Sequence, residues 1–160
     1  MTTTRTAQVS LPSETEILIV RELDAPRELV WEAYTTPELV RRWWHARRGE
    51  IASIEIDLRV GGRWRYAMTA ASGGFEVAFH GEYRELVPGE RIVSTEVYES
   101  APEHEALTTV TFAAAGDRTR LEIHQRLASR EVRDAILATG MEDGLQDALD
   151  LLERAAAAQR

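Results

Sequence analysis

The chain has 160 residues, with 27 acidic and 19 basic side chains and a formal charge of −8. It has no cysteine, and reading it through finds no lysine and no asparagine, so all 19 basic residues are arginine. These absences exclude disulfides and thiol chemistry, lysine Schiff bases and Walker lysines, and N-glycosylation sequons, while the negative balance disfavours non-specific nucleic-acid binding.

Residues 1–13 are polar and Thr-rich and read as a flexible lead-in to one domain over 14–160. Residues 16–23 (EILIVREL) are β-branched and apolar, as a strand is. Pro26 suits a first helical turn, with Asp24 or Ala25 as the cap, and Val30, Ala33 and Tyr34 share one face of that short helix. Thr36 as N-cap, Pro37 at the first helical position and Glu38 in the first turn start a second helix carrying Leu39, Val40, Trp43 and Trp44. After a loop at 46–51 the chain alternates with period two. Ile54, Ile56 and Leu58 form one face, then Trp64, Tyr66 and Met68, then Phe75, Val77, Phe79, Gly81 and Tyr83. Gly61-Gly62, Ser72-Gly73-Gly74 and Pro88-Gly89 mark turns, and 91–99, 106–114 and 119–127 complete six strands. Residues 129–160 are helical, with Ser129 as N-cap. Gly140 predicts a break, and Thr139-Gly140-Met141-Glu142 matches a capping box that opens a fresh helix. Its apolar stripe is Met141, Leu145, Ala148, Leu149 and Leu152, and Gly144 within it costs ~1 kcal/mol against alanine, which a close approach to the sheet would explain.

A lone amphipathic helix must bury its stripe, and the apolar face of the strand meander is the only large partner. The order predicts an α+β architecture: a curved antiparallel sheet wrapped around a long C-terminal helix, with two short helices after the first strand and a hollow between.

Five segments resemble one superfamily. They are Asp24-Ala25-Pro26-Arg27-Glu28-Leu29-Val30-Trp31, Pro37-Glu38-Leu39-Val40-Arg41-Arg42-Trp43-Trp44, Gly61-Gly62-Arg63-Trp64-Arg65-Tyr66, His80-Gly81-Glu82-Tyr83-Arg84-Glu85-Leu86-Val87-Pro88 and Gly140-Met141-Glu142-Asp143-Gly144. In this order they resemble the SRPBCC (START/birch-pollen-allergen-like) superfamily. Within it they resemble bacterial AHSA-type proteins, similar to the C-terminal domain of the activator of heat shock protein 90 ATPase. The resemblance implies a helix-grip fold around an apolar cavity and no single activity. Two departures stand out. Where the family commonly has Gly-Pro after the tryptophan pair, this chain has His45-Ala46-Arg47-Arg48, so a more polar or basic cavity mouth is expected. The co-chaperone relative also carries a separate N-terminal domain for client contact, for which this length leaves no room.

The expected cavity walls are Trp31, Trp43, Trp44, Trp64, Tyr66, Met68, Phe79, Tyr83, Phe112, Met141, Leu145 and Leu149, although each aromatic alone also fits ordinary core packing. Glu96 has two readings. If Ser94, Glu96 and Tyr98 face inward, it is a carboxylate in an apolar hollow, raised in pKa and suited to acid–base work; if Val93, Thr95 and Val97 do, it is solvated. Both faces are partly apolar, so parity leaves the two open. His80 and His124 alternate with apolar residues and read as outer-face groups, and His104 sits in a polar loop. His45 follows the tryptophan pair, where with Arg47 and Arg48 it could meet an anionic head group or simply end a solvated helix. Arg63 and Arg65 should point outward and pair with acids, and no histidine spacing suggests a metal site.

The leading expectation is binding of a small apolar or aromatic molecule between sheet and C-terminal helix, without a cofactor. The alternatives are a cyclase, hydrolase or isomerase using Glu96, His45 or Tyr66 as proton carriers, and a protein-interaction or co-chaperone-like module. No apolar run approaches the ~20 residues that span a bilayer, so a cytoplasmic location without membrane insertion is expected; a homodimer stays open as a possible assembly, although no sequence feature supports it.

Overall fold

A computed structural model describes residues 6–159. Eight strands form one sheet: β1 (Gln8–Ser10), β2 (Glu16–Leu23), β3 (Gly49–Ile56), β4 (Arg63–Ala70), β5 (Glu76–Val87), β6 (Arg91–Tyr98), β7 (Glu105–Ala115) and β8 (Arg118–Arg126). Their order is β1-β2-β8-β7-β6-β5-β4-β3, antiparallel throughout. Between β2 and β3 lie α1 (Arg27–Thr35) and α2 (Pro37–Val40); after β8 come α3 (Arg130–Ala138) and α4 (Met141–Ala157). The sheet is curved and holds the long C-terminal helix against it, the helix-grip arrangement. No helix among the described residues is long and apolar enough to cross a membrane.

The core follows strand parity. Along β2 every second residue is buried, namely Ile17, Ile19, Arg21 and Leu23. They face Leu149 and Leu152 of α4, which are 1% and 0% exposed. Arg21 is the exception in charge. Its guanidinium is only 2% exposed, lies 2.5 Å from Asp150 and 3.7 Å from Glu153, and so joins the first sheet strand proper to α4 by an ion pair inside the seam. Glu153 also accepts from the Asp24 backbone N–H at 2.7 Å, and Gln159, on the turn after α4, donates to the Leu29 carbonyl at 2.9 Å, so α4 and that turn fix the start of α1.

Several boundaries differ from the sequence expectations, each for a local reason. The stretch read as a lead-in contains β1, paired with β2, and both backbone groups of Ala7 bond the Gln146 amide at 2.8 Å; residues 1–5 of that lead-in lie outside the described residues. Pro26 is itself the cap of α1, in place of the expected Asp24 or Ala25. Thr36 caps α2 through its extended backbone, without a side-chain hydrogen bond, and α2 ends at Val40, so the tryptophan pair sits on the turns that follow. The capping box does not form. Thr139 still has right-handed helical backbone angles and its hydroxyl donates to the Ile136 carbonyl at 2.6 Å, while Gly140, at φ 77°, is the residue that ends one helix and starts the next. Gly144 faces the side chain of Arg48 rather than the sheet.

Candidate functional site

The concave face of the sheet and the inner face of α4 do not meet everywhere. Between them lies a cavity of about 320 Å³. Trp64, Tyr66 and Met68 enter it from β4, Phe79 and Tyr83 from β5. Met141, Leu145, Ala148 and Leu149 close it from α4, and Tyr34, Trp43, Trp44 and Ala46 close one end. Ten of the twelve expected walls are therefore there. Trp31 and Phe112 are not. Their rings pack edge to face at 5.3 Å, and Phe112 is 1% exposed, so they belong to the solid core between α1 and β7. Composition alone could not separate them from the lining, because an aromatic ring is equally at home in either place.

The aromatic wall is one connected surface. Trp44 meets Tyr66 at 5.5 Å and Phe79 at 6.0 Å, both edge to face, and Trp64 meets Tyr66 at 4.9 Å. Gly81 makes part of this possible: a Cβ there would fall 1.8 Å from the Thr95 carbonyl oxygen and 2.6 Å from Trp64 Nε1, so no other residue lets the indole lie where it does. Trp43 is fixed from behind, its indole N–H donating to the Ala33 carbonyl at 2.8 Å.

The registers explain the polar part of the wall. Tyr83 pairs with Ser94, Ser94 with Thr108, and Thr108 with Gln125, giving a row across β5, β6, β7 and β8. The neighbouring row, Ile92, Val110, Ile123 and Ile19, is wholly apolar. Glu96 lies two residues beyond Ser94 on the same strand face and lines the cavity, which settles the parity that the sequence leaves open. Gln125 Nε2 donates to Glu96 Oε2 at 3.0 Å. Burial pushes the Glu96 carboxyl up to about 7, with the Gln125 bond opposing the rise. Tyr66 shares the space, its phenol held neutral by burial first and by the nearby Tyr83, Tyr34 and Glu96 second. Thr108 Oγ1 is buried without a hydrogen-bond partner. Ser94 enters the sequence reading only as a neighbour of Glu96, and Thr108 and Gln125 not as candidates at all; the signal for them is polar residues at inward parity on three successive strands.

His45 does not line the cavity. Ala46 and Arg47 take the left-handed backbone region at φ 51° and 60°, and His45 Nδ1 accepts the Arg47 backbone N–H at 3.0 Å, which turns the ring toward its own backbone. The arginines beside it are engaged: Arg48 lies 2.9 Å and Arg47 3.6 Å from the Asp147 carboxylate of α4. The expected basic mouth is thus partly neutralised. His80 bonds Glu99 on the outer face at 2.9 Å, and His124 bonds Glu16. Arg65 also grips Glu99, through two bonds of 2.9 Å, and holds that carboxyl down at about 2. Among the described residues no group of three or more His, Asp or Glu side chains is placed to hold a metal ion.

The fold recurs in solved structures. A protein from Rhodobacter sphaeroides is 26% identical, with a TM-score of 0.87 over 95% of this chain and 99% of that one. One from Chromobacterium violaceum is 32% identical, with a TM-score of 0.75 over 87% and 95%. One from Nitrosomonas europaea, at 23% identity and a TM-score of 0.81 over 93% and 98%, shares the fold. No curated protein matches the sequence. The family model described as activator of Hsp90 ATPase homolog 1-like protein matches residues 24–157, which takes in α1 and α2, strands β3 to β8 and the whole of α3 and α4; the chain belongs to that family.

Proposed function

We propose that the chain is a receptor for a small apolar or aromatic molecule held between the sheet and α4. The observation that carries this reading is a cavity of about 320 Å³, left open where the α4 stripe could have packed directly on the sheet and walled mainly by aromatic and aliphatic side chains. That size and lining are typical of small-molecule sites, where apolar burial supplies affinity and a few polar groups set orientation. The neutral dye N-phenyl-1-naphthylamine tests it. Its fluorescence should rise on saturable binding at one site per chain, and Leu145→Trp, which fills the hollow, should weaken that binding at least tenfold. Absence of binding, or binding that Leu145→Trp leaves untouched, overturns the reading.

A second reading rests on Glu96. A carboxyl near neutrality beside the Tyr66 phenol, inside an apolar hollow, is suited to proton transfer, as a cyclase, hydrolase or isomerase requires. Its support does not extend to His45. Mass spectrometry of a compound incubated with the protein tests it: conversion lost in Glu96→Gln supports catalysis, and recovery of every bound compound unchanged counts against it.

A further inference from the structure

We infer that the cavity selects an organic cation, an amine whose ammonium group meets Glu96 while its apolar body lies against the aromatic wall; this rests on the receptor reading above. The first argument is charge. Among the described residues that line the cavity, Glu96 alone carries a charge, and none is an arginine or histidine. Anionic ligands are therefore disfavoured inside, and Asp147 already occupies Arg47 and Arg48 at the mouth.

The second argument is hydrogen-bond inventory. An ammonium offers three donors and no acceptor. Glu96 has one oxygen engaged by Gln125, which leaves the other free to accept. Thr108 Oγ1, buried and unpartnered, lies in the same polar row, opposite Ser94 on one side and Gln125 on the other. The Glu96 carboxylate oxygen and the Thr108 hydroxyl can both accept from a group that only donates, whereas the buried, unpartnered indole N–H of Trp64 lies beside Gly81. The third argument is the facing surface. Trp44, Tyr66 and Phe79 form a continuous aromatic patch, and the faces of such rings attract cations, more so where water is excluded.

Binding an ammonium requires Glu96 to be ionised, which links affinity to pH. The groups around it are the Tyr34 phenol from α1, Tyr66 from β4, Tyr83 from β5, Thr108 from β7 and Gln125 from β8, while α4 presents only apolar side chains and Gly144 to the cavity. All three phenols are pushed above their ordinary value by burial, so Glu96 is the group that titrates near neutrality.

Calorimetric titration with three matched probes tests the inference: 1-naphthylmethylamine, 1-naphthalenemethanol and 1-naphthaleneacetic acid. At about pH 8 the amine should bind at least tenfold tighter than the alcohol, and the acid weakest. Between about pH 6 and pH 8 the affinity for the amine should rise about tenfold, following ionisation of a group near 7, with the alcohol unchanged. Glu96→Gln should erase the amine's advantage over the alcohol. The wild-type pH series stands whether or not that variant folds. Equal binding of amine and alcohol, or tighter binding of the acid, overturns the cation proposal and leaves the receptor reading intact. Failure of all three probes together with N-phenyl-1-naphthylamine overturns both.

Discussion

Glu96 concentrates the tension between folding and function at a single residue. A carboxyl that faces an apolar hollow is neutral in the folded state until about pH 7, whereas in the unfolded chain it ionises near its ordinary value of 4.5. Between those two values the folded state holds the extra proton, so this group makes stability fall as pH rises, and the loss is complete above 7. The full shift corresponds to about 3 kcal/mol. Glu99 acts with the opposite sign and in a different window: Arg65 holds it at about 2, so its stabilisation is present above 4.5 and is lost as pH falls toward 2. The two contributions can therefore be separated. Replacing Glu96 by Gln keeps an amide able to bond Gln125 and removes the titration. Chemical denaturation across about pH 4.5 to 8 should show the variant gaining on the wild type by on the order of 2–3 kcal/mol, with the gain saturating above 7. A pH-independent difference between the two proteins would mean that Glu96 is ionised in the folded state throughout.

At the scale of elements, helix α4 is held by features of unequal visibility. Its apolar stripe, its break at Gly140 and the strand alternation that it packs against can be read from periodicity, because burial on one face imposes that period. What escapes is set by pairing between distant segments. Strand β1 has three residues, too few to show a period, and exists because β2 offers it an edge. Which face of β6 turns inward depends on its register with β5 and β7, since Ile92, Ser94, Thr95 and Val97 are all buried, on both faces of the strand. Trp31 and Phe112 read as wall and Thr139 as cap for the same reason: the residue type fits, and only its neighbours decide. The glycine that caps α4 and the one inside it show how neighbours decide. Gly140 sits at φ 77°, where a side chain is strained, whereas Gly144 is in regular helix with Arg48 Nε 3.4 Å from where a Cβ would lie. Arg48 is a flexible, half-exposed side chain that can shift by a few tenths of an ångström. Gly140→Ala should cost about 1 kcal/mol, and Gly144→Ala should add about 0.5–1 kcal/mol through helix propensity. Urea midpoints check both, and a destabilised Gly144→Ala would show that Arg48 is held rigidly against the helix.

For the whole molecule, the decisive quantity is the space that the fold leaves unfilled. A solid interior between α4 and the sheet would be more stable, because side chains around a hollow lose the contacts that close packing supplies. Ala148 lies on α4 at the cavity wall and is only partly buried, so a larger side chain there has room to grow inward. Ala148→Leu should therefore hold or raise stability by about 1 kcal/mol, unlike an added methylene in a packed core, which usually destabilises. The same substitution should remove ligand-induced stabilisation. In the wild type, a ligand at 100 times its dissociation constant adds about 2.7 kcal/mol, which for a chain of this size raises the melting temperature by roughly 5–10 °C. Thermal unfolding with and without N-phenyl-1-naphthylamine measures both effects on the same pair of proteins. A variant that is more stable yet no longer shifted by the dye would mean that the hollow is kept for binding at the expense of stability. A variant that unfolds early would mean instead that α4 already packs on the sheet as closely as its side chains allow.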